Sequence, residues 1–312
     1  MTGSDPTVEA IFDAVAETAP AIRAALPGRR VESGTANPSG ESVMAGDLYA
    51  DELLADALTA VDGVGSFVSE ERESAVDAGG AVGSGGGNGD GDGDGNGDDD
   101  AYAVAIDPLD GSSNLRSNNA MGTVVGVYNA PLPATGRDLV AAGYVLYGPI
   151  TTMIVADESG VSEEVIEREP GGSDAGSVSR SVVDDDLTLP ADPLVYGFGG
   201  RVPDWPDEFT AYAREIEDEL KLRYGGAMVG DVNQVLTYGG IFAYPALVSA
   251  PAGKLRLSFE ANPIAYIVER AGGAASNGDT PILDVEPEGV HDRVPLYVGN
   301  EELVERLEAA LD

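Results

Sequence analysis

The stretch Asp107-Pro108-Leu109-Asp110-Gly111-Ser112-Ser113-Asn114 follows directly on an apolar run, residues 102–106, that is typical of a buried strand. The strand delivers two carboxylates three residues apart, and the proline fixes the turn between them. Both acids and an intervening carbonyl can therefore face one hard cation, of which Mg²⁺ is the natural choice. Gly111-Ser112-Ser113 can open a helix whose free N–H groups and hydroxyls bind phosphate. The stretch predicts adjacent metal and phosphate sites, as metal-assisted phosphoryl transfer requires.

Two further acidic elements follow apolar runs. Glu70-Glu71 ends a short strand, and Glu260 stands six residues after Lys254 and four after Arg256. Alone, an adjacent acidic pair is usually solvated, an acid before a helix is usually a cap, and Asp-Pro and Asp-Gly are common turn formers. The concentration of cations beside carboxylates instead suits a site that holds both Mg²⁺ and an anionic substrate.

Composition excludes several classes of protein. The chain of 312 residues contains no cysteine, which excludes disulfide scaffolds, zinc fingers, iron–sulfur clusters and thiol catalysis. A net charge of −38 repels phosphate backbones and anionic lipid, so no nucleic-acid or membrane partner is expected. The cations comprise 15 Arg and only two Lys, Lys221 and Lys254. This balance indicates adaptation to a salt-rich cytoplasm, where screening makes a large net charge tolerable.

The amino terminus has neither the basic nor the apolar region of a signal peptide, so a cytoplasmic location is expected. Residues 139–156 form an uncharged stretch of 18 residues, which reaches the length of a membrane span. Gly148-Pro149 divides this stretch, and both halves carry the Val, Tyr and Thr typical of strands. It is interpreted as two core strands around a turn.

Hydrophobic periodicity predicts alternating helices and strands. Helices are predicted at residues 7–26, 48–61, 207–222, 228–237 and 262–271. Strands are predicted at residues 65–69, 102–106, 121–128, 139–147, 151–155 and 194–198. Mixed elements without regular βαβ alternation indicate a layered α/β (α+β) sandwich.

Two subdomains are expected, residues 1–187 for metal and phosphate and residues 188–312 for the sugar phosphate, with an exposed acidic seam at 158–186. Residues 79–100 contain 11 Gly and six Asp and predict a disordered insertion. Asp90, Asp92 and Asp94 match the start of a calcium loop. However, the twelfth position, which needs a Glu, is Ala101, so calcium binding is not expected.

The motifs together resemble the class I fructose-1,6-bisphosphatases, within the inositol-monophosphatase-like superfamily. The likeness runs from about residue 30 onward, through segments that include Asn37–Glu41, Val68–Glu71, Leu139–Gly148, Tyr238–Pro245 and Gly253–Tyr266. It implies the sugar-phosphatase fold of alternating helix and sheet layers. It also implies Mg²⁺-dependent hydrolysis of the 1-phosphate of fructose 1,6-bisphosphate in gluconeogenesis, by a homo-oligomer, either a dimer or a tetramer.

The resemblance also implies roles for individual residues. Metal ligands for two or three Mg²⁺ ions, or Mn²⁺ in their place, fall on Glu70, Glu71, Asp107, the main-chain carbonyl of Leu109, Asp110 and Glu260. The acids implied in activating the attacking water are Glu41, Asp47 and Glu71. Substrate contacts fall on Asp110, Gly111, Ser112 and Ser113 for the cleaved phosphate, on Tyr224, Tyr244 and Lys254 for the sugar and its retained phosphate, and on Arg223 from a neighbouring subunit.

The chain departs from the family pattern in two places. Tyr196–Gly200 stands where the family pocket often has Asn, and Ala101 stands where AMP-regulated members have Lys, so AMP inhibition is not expected. The alternatives are a phosphatase for sedoheptulose 1,7-bisphosphate or inositol monophosphate, and a non-catalytic sugar-phosphate or cation-binding protein. Lys254, Tyr244 and Arg223 favour a substrate with a second phosphate.

Overall fold

The computed structural model describes residues 5–79, 101–168 and 177–311. Its helices are α1 (Pro6–Ala25), α2 (Ala45–Leu58), α3 (Asp207–Glu219), α4 (Met228–Tyr238), α5 (Asn262–Arg270) and α6 (Glu301–Leu311). Asp5 caps α1 by accepting a hydrogen bond from the N–H of Thr7 at 2.7 Å. Apolar residues at helical spacing along α1, among them Ile11, Phe12 and Ile22, are buried, as an amphipathic helix requires.

The strands of the first half, in chain order, are β1 (Glu32–Ala36), β2 (Ser42–Met44), β3 (Val64–Ser69), β4 (Val76–Asp77), β5 (Tyr102–Asp110), β6 (Met121–Tyr128), β7 (Leu139–Tyr147), β8 (Thr151–Asp157), β9 (Gly160–Arg168) and β10 (Val178–Asp184). Those of the second half are β11 (Val195–Phe198), β12 (Lys221–Leu222), β13 (Gly240–Tyr244), β14 (Leu255–Arg256), β15 (Ala274–Ser276), β16 (Arg293–Val294) and β17 (Leu296–Gly299).

Two sheets organise the molecule. The larger has the order β10-β9-β8-β7-β6-β5-β3-β4, in which only β3 and β5 pair in parallel. The smaller has the order β12-β11-β13-β17-β15, with β11 parallel to both of its neighbours. Two short pairs, β1 with β2 and β14 with β16, stand apart from these sheets.

Three apolar clusters place the helices in layers around the two sheets. Helices α1 and α2 cover one face of the large sheet. Helices α4 and α5 lie between its other face and the small sheet, and α3 and α6 cover the outer face of the small sheet. Strand β5 shows the period-two pattern that holds the layers together, since Ala103 and Ala105 face the layer of α4 and α5 while Val104 and Ile106 face the layer of α1 and α2. The predicted layered sandwich is confirmed.

Most predicted elements are confirmed within a few residues. The uncharged stretch 139–156 is the hairpin β7–β8, and its nine-residue first strand has the predicted bounds. One prediction is wrong, because α3 ends at Glu219 and Lys221 stands on an edge strand. The helix that follows Gly111 is a single 3₁₀ turn, residues 112–115. In the described part of the acidic region 158–186, β9 and β10 extend the large sheet, and the role of this region as a seam between subdomains stays a prediction.

Residues 80–100, which include the Asp90–Asp94 motif of the Gly/Asp-rich insertion, lie outside the described residues. The predicted disorder of the insertion therefore stays a prediction. In the parts of the chain that the structure describes, none of the helices has the length and apolar character needed to cross a membrane.

Candidate active site

Asp107 and Asp110 lie at the end of β5, and a bulge between them turns both toward the same side. Asp107 pairs with Val124 and Asp110 with Gly122 of β6, so three steps along β5 match two steps along β6. In a regular strand, residues three apart point to opposite faces, whereas one extra residue restores the same face. Pro108-Leu109 thus lets one strand present two carboxylates to one site.

Glu260 completes a buried cluster with these two acids. One carboxylate oxygen from each of Asp107, Asp110 and Glu260 lies within 4.8 Å of the others. Glu260 stands on a π-helical turn, Leu257–Ala261, and its carboxylate accepts a hydrogen bond from the backbone N–H of Arg256. The segment that joins β14 to α5 therefore carries this acid to the end of β5.

The cluster has the chemistry of a divalent-cation site. Burial, and then the negative charge of Glu70, raise the pKa of both Asp107 and Glu260. Burial also raises the pKa of Asp110 to about 6, against the opposing effect of backbone N–H groups. Carboxylates held together out of water must take up protons or a multivalent cation, and an all-oxygen donor set suits Mg²⁺. The residues present fit such an ion.

Glu70 and Glu71 enter the same cavity from the end of β3. The N–H of Glu70 donates to the carbonyl of Ile106 at 3.0 Å, so the parallel pairing of β3 and β5 continues to the acidic pair. Burial raises the pKa of Glu70 to about 7 and that of Glu71 to about 8, and neighbouring carboxylates add to both shifts. Glu71 Oε2 is buried without a hydrogen-bond partner in the described chain. A bound cation would satisfy this oxygen.

Arg256 lies among the acids of the cavity, where the sequence predicted a cation beside Glu260 but not its carboxylate partners. Its side chain is 1% exposed, and its Nη2 lies 2.9 Å from Glu41 Oε2 and 3.3 Å from Glu70 Oε1. Arg293 Nη2 lies 3.1 Å from the other oxygen of Glu41. The structure therefore brings Glu41 into the cavity, but with both of its carboxylate oxygens paired to arginines.

Asp47 links the acidic cluster to the candidate phosphate cradle. It lies in the first turn of α2, and its Oδ2 accepts a hydrogen bond from the N–H of Met44 at 2.7 Å. Burial raises its pKa to about 6, while a hydrogen bond to the Ser112 side chain favours the ionised form. The loop between β1 and α2 thus brings an acid to the serine expected to hold phosphate.

Gly111 lets the cradle approach α4 closely. Its φ of +73° favours glycine, and a Cβ there would lie 2.2 Å from the Cβ of Ala227. Asn114, four residues after Asp110, donates to the carbonyl of Gly225 at 3.0 Å. Asp231 in the first turn of α4 accepts from the N–H of the same Gly225 at 2.6 Å. Sequence analysis missed Asp231, because nothing local marks a carboxylate that caps a loop six residues earlier.

Tyr244 and Lys254 line the same cavity as the acids. Tyr244 ends β13, and its ring packs against the backbone of Gly199, where a Cβ would lie 2.5 Å from a ring carbon. Gly253 precedes Lys254 with a φ of +85° and abuts the backbone of Val294, so the lysine follows a tightly fixed bend. The Lys254 side chain itself is exposed to solvent.

The cavity has a volume of about 310 Å³, and thirteen of the fifteen predicted site residues line it. The two that do not are Arg223 and Tyr224, on the edge of the small sheet. Tyr224 is 44% exposed. Partial burial raises its pKa to about 12, and the charges of Tyr244, Asp231 and Asp110 add to this shift. Arg223 is exposed, and among the described residues it makes no ion pair with a carboxylate. The structure does not bring it into the cavity of its own chain.

Comparison with known proteins gives matches along nearly the whole chain. Residues 18–172 match the family model of the fructose-1,6-bisphosphatase N-terminal domain, and residues 189–312 match that of the C-terminal domain. The class 1 fructose-1,6-bisphosphatase of Natronomonas pharaonis is 57% identical over 304 residues, which cover 97% of this chain and 98% of that protein. That of Halobacterium salinarum is 51% identical, with 97% of each chain covered.

A solved structure gives the same result. The holo form of Leishmania major fructose-1,6-bisphosphatase superposes with a TM-score of 0.84 at 26% identity, covering 99% of this chain and 95% of that chain.

Proposed function

The chain belongs to the fructose-1,6-bisphosphatase family, and on this premise we propose that it hydrolyses the 1-phosphate of fructose 1,6-bisphosphate to yield fructose 6-phosphate and phosphate. The observation that carries the proposal is one cavity lined by the acidic cluster of Asp107, Asp110 and Glu260, by the serine cradle and by Lys254. A metal site that shares a cavity with two anion sites suits a bisphosphate that loses only one of its phosphates.

The cation is proposed to be Mg²⁺, with Mn²⁺ as a substitute. Asp107, Asp110 and Glu260 would hold it, together with Glu70, Glu71 and the carbonyl of Leu109; the last three also line the cavity. When bound, the ion supplies Lewis-acid polarisation of the phosphoryl group and of water. Both halves of the chain contribute ligands, because Glu260 follows the boundary that we propose at residue 188.

The chain's own groups orient the reacting phosphate. Gly111, Ser112 and Ser113 would offer backbone N–H groups and hydroxyls to its oxygens, at the turn that Asn114 ties to Gly225. Asp47 would fix the hydroxyl of Ser112 through their hydrogen bond. With a pKa of about 6, Asp47 is also placed to accept a proton from the attacking water near neutral pH.

Lys254 and Tyr244 would hold the phosphate that is not cleaved. In a chain with 55 acidic residues, an ammonium that has no ion-pair partner among the described residues attracts to the cavity an anion that the surrounding charge disfavours. Tyr244 offers a ring to the sugar and a hydroxyl to the phosphate. Exposed Arg223 is proposed to reach the cavity of a neighbouring subunit, so the active form is a homo-oligomer, and a cytoplasmic location is proposed with it.

The test is phosphate release by the purified protein from a panel of substrates, with Mg²⁺ and with a chelator. The panel contains fructose 1,6-bisphosphate, sedoheptulose 1,7-bisphosphate and inositol monophosphate. The expected result is Mg²⁺-dependent release, fastest from fructose 1,6-bisphosphate. Preference for either other substrate would replace the proposed one, and no release from any of the three would contradict the proposed activity.

A further inference from the structure

Arg72 follows the acidic pair directly and forms an ion pair with helix α2. Its Nε donates to Asp51 Oδ2 at 2.8 Å, and its Nη2 lies 2.7 Å from the same oxygen. The Asp51 side chain is 7% exposed, and its other oxygen is buried without a hydrogen-bond partner in the described chain. A carboxylate in this position depends on the guanidinium, since removing one member of a buried pair leaves an uncompensated charge.

The ion pair holds a turn that is also fixed at other points. The N–H of Arg72 donates to the carbonyl of Ser69 at 3.2 Å, and the N–H of Glu71 donates to Ser69 Oγ at 3.2 Å. The carbonyl of Arg72 lies 3.1 Å from Nε2 of His291, in the segment that leads to β16. Glu71 therefore sits between a residue fixed by β3 and a residue fixed by α2 and the C-terminal half.

We propose that Arg72 is the positioning residue for Glu71: paired with Asp51, it fixes the turn that carries Glu71 and thereby holds this carboxylate where the cluster can bind a divalent cation. The inference deepens the proposed function and rests on it, because it takes Glu71 as a metal ligand.

The chain offers a matched control. Arg180 on β10 donates to both carboxylate oxygens of Glu164, whose side chain is 8% exposed, and its other partner is Asp13 on α1. This ion pair has a partner as buried as Asp51, but none of its members lines the acidic cavity. Arg180→Met therefore reports what the loss of a comparable ion pair does to stability alone.

The experiment compares wild type with Arg72→Met, Arg72→Lys, Arg72→Met/Asp51→Asn and Arg180→Met. The first readout is the Mg²⁺ dependence of Tm for the metal-stripped protein at constant KCl, which needs no turnover. The second is the Mg²⁺ concentration for half-maximal phosphate release. Changing a residue that supports a metal ligand typically costs about 10–100-fold in metal affinity. We expect about tenfold more Mg²⁺ for Arg72→Met in both readouts, with KM for the sugar bisphosphate within about twofold of wild type.

The other variants separate release of the turn from the unpaired charge that Arg72→Met leaves on Asp51. Arg72→Lys keeps the charge and should stay within about threefold of wild type. The double variant has no unpaired buried charge and should need about threefold more Mg²⁺, because the turn is still released. If Arg72→Met does not fold, the double variant is measured in its place. Arg180→Met should lower Tm without changing the Mg²⁺ requirement.

An unchanged Mg²⁺ requirement in Arg72→Met, or in the double variant taking its place, would overturn the inference. So would a loss confined to KM for the sugar. If wild type itself neither gains Tm from Mg²⁺ nor releases phosphate, the proposed function fails first. A failure of the inference alone leaves wild type active and Mg²⁺-dependent.

Discussion

The backbone N–H of Val229 lies 2.8 Å from Oδ2 of Asp110, so the first turn of α4 holds an acid that β5 delivers from the other half of the chain. The partial positive charge of a helix N-terminus favours a carboxylate, and an N–H donor fixes its orientation. The end of β5 and the start of α4 therefore build the centre of the candidate site together.

This relationship predicts the behaviour of Asp110→Asn. The amide keeps the shape and can still accept the Val229 hydrogen bond, but it removes one charge from the proposed metal cluster. We expect kcat at ordinary Mg²⁺ to fall by at least about a hundredfold, since metal ligation and phosphate contact are lost together. The Tm of the metal-free variant should equal or exceed that of wild type, because a desolvated charge is gone. Wild-type turnover in this variant would refute the metal assignment.

The raised pKa values predict how stability depends on pH in the absence of metal. The pKa is about 6 for Asp47 and Asp110, about 7 for Glu70 and about 8 for Glu71, whereas unfolded carboxyls titrate near 4. Between about pH 4 and these raised pKa values, the folded state binds more protons than the unfolded state. The stability that these groups contribute is therefore complete below about pH 4 and is lost as pH rises to about 8.

The matched variant for this pH dependence is Glu71→Gln. With a chelator present, the Tm of the variant relative to wild type should increase between pH 6 and pH 8, and added Mg²⁺ should reverse the difference by stabilising ionised Glu71. Thermal unfolding at four or five pH values checks it. A constant difference across this range would show that Glu71 is already ionised in the metal-free protein.

Lys254→Ala tests the proposed contact between Lys254 and the phosphate that is not cleaved. A contact present in both the ground state and the transition state mainly lowers KM, and a charge-assisted contact is worth about 1.5–3 kcal/mol, or about ten- to a hundredfold. We expect KM for fructose 1,6-bisphosphate to rise by that factor and kcat to fall less. A small monophosphate without the second anchor should be hydrolysed as before.

Lys221→Ala is the control for Lys254, because Lys221 is the other lysine and lies exposed on β12, outside the cavity. It should change neither substrate's kinetics. Equal losses on both substrates in Lys254→Ala would place this residue at the cleaved phosphate or in the fold.

Shortening the Gly/Asp-rich insertion should leave turnover nearly unchanged. Strands β4 and β5 flank β3 on opposite sides, so the ends to be joined are about two strand spacings, or about 10 Å, apart. A linker of about six Gly and Ser residues spans this distance, and the cost of loop closure changes slowly with length. Steady-state kinetics of a protein with 80–100 replaced in this way should give kcat within about twofold of wild type. A loss beyond about tenfold would mean that the insertion takes part in the site.

Local pattern was sufficient for the elements whose signals lie within one segment. Strand β6 and the hairpin β7–β8 were predicted closely, because apolar β-branched runs and turn residues act over a few positions. The end of α3 was not predicted closely. Lys221 and Leu222 could continue the helix, but they pair with β11 and form an edge strand instead. That competition depends on a neighbour 26 residues earlier in the chain.

The sequence by itself determined the chemistry available at the site: paired acids after two strands, a Gly-Ser-Ser turn and a rare lysine, all readable because each depends on adjacent residues. Only the tertiary structure decided how these groups meet. Arg256 and Glu41 are 215 residues apart in the chain, yet they form an ion pair in which the arginine is buried. Asp110 accepts a hydrogen bond from the N–H of Val229, which is 119 residues away. Desolvation and the repulsion between carboxylates exist only after folding has removed water and brought the charges together, so no local pattern encodes the raised pKa values.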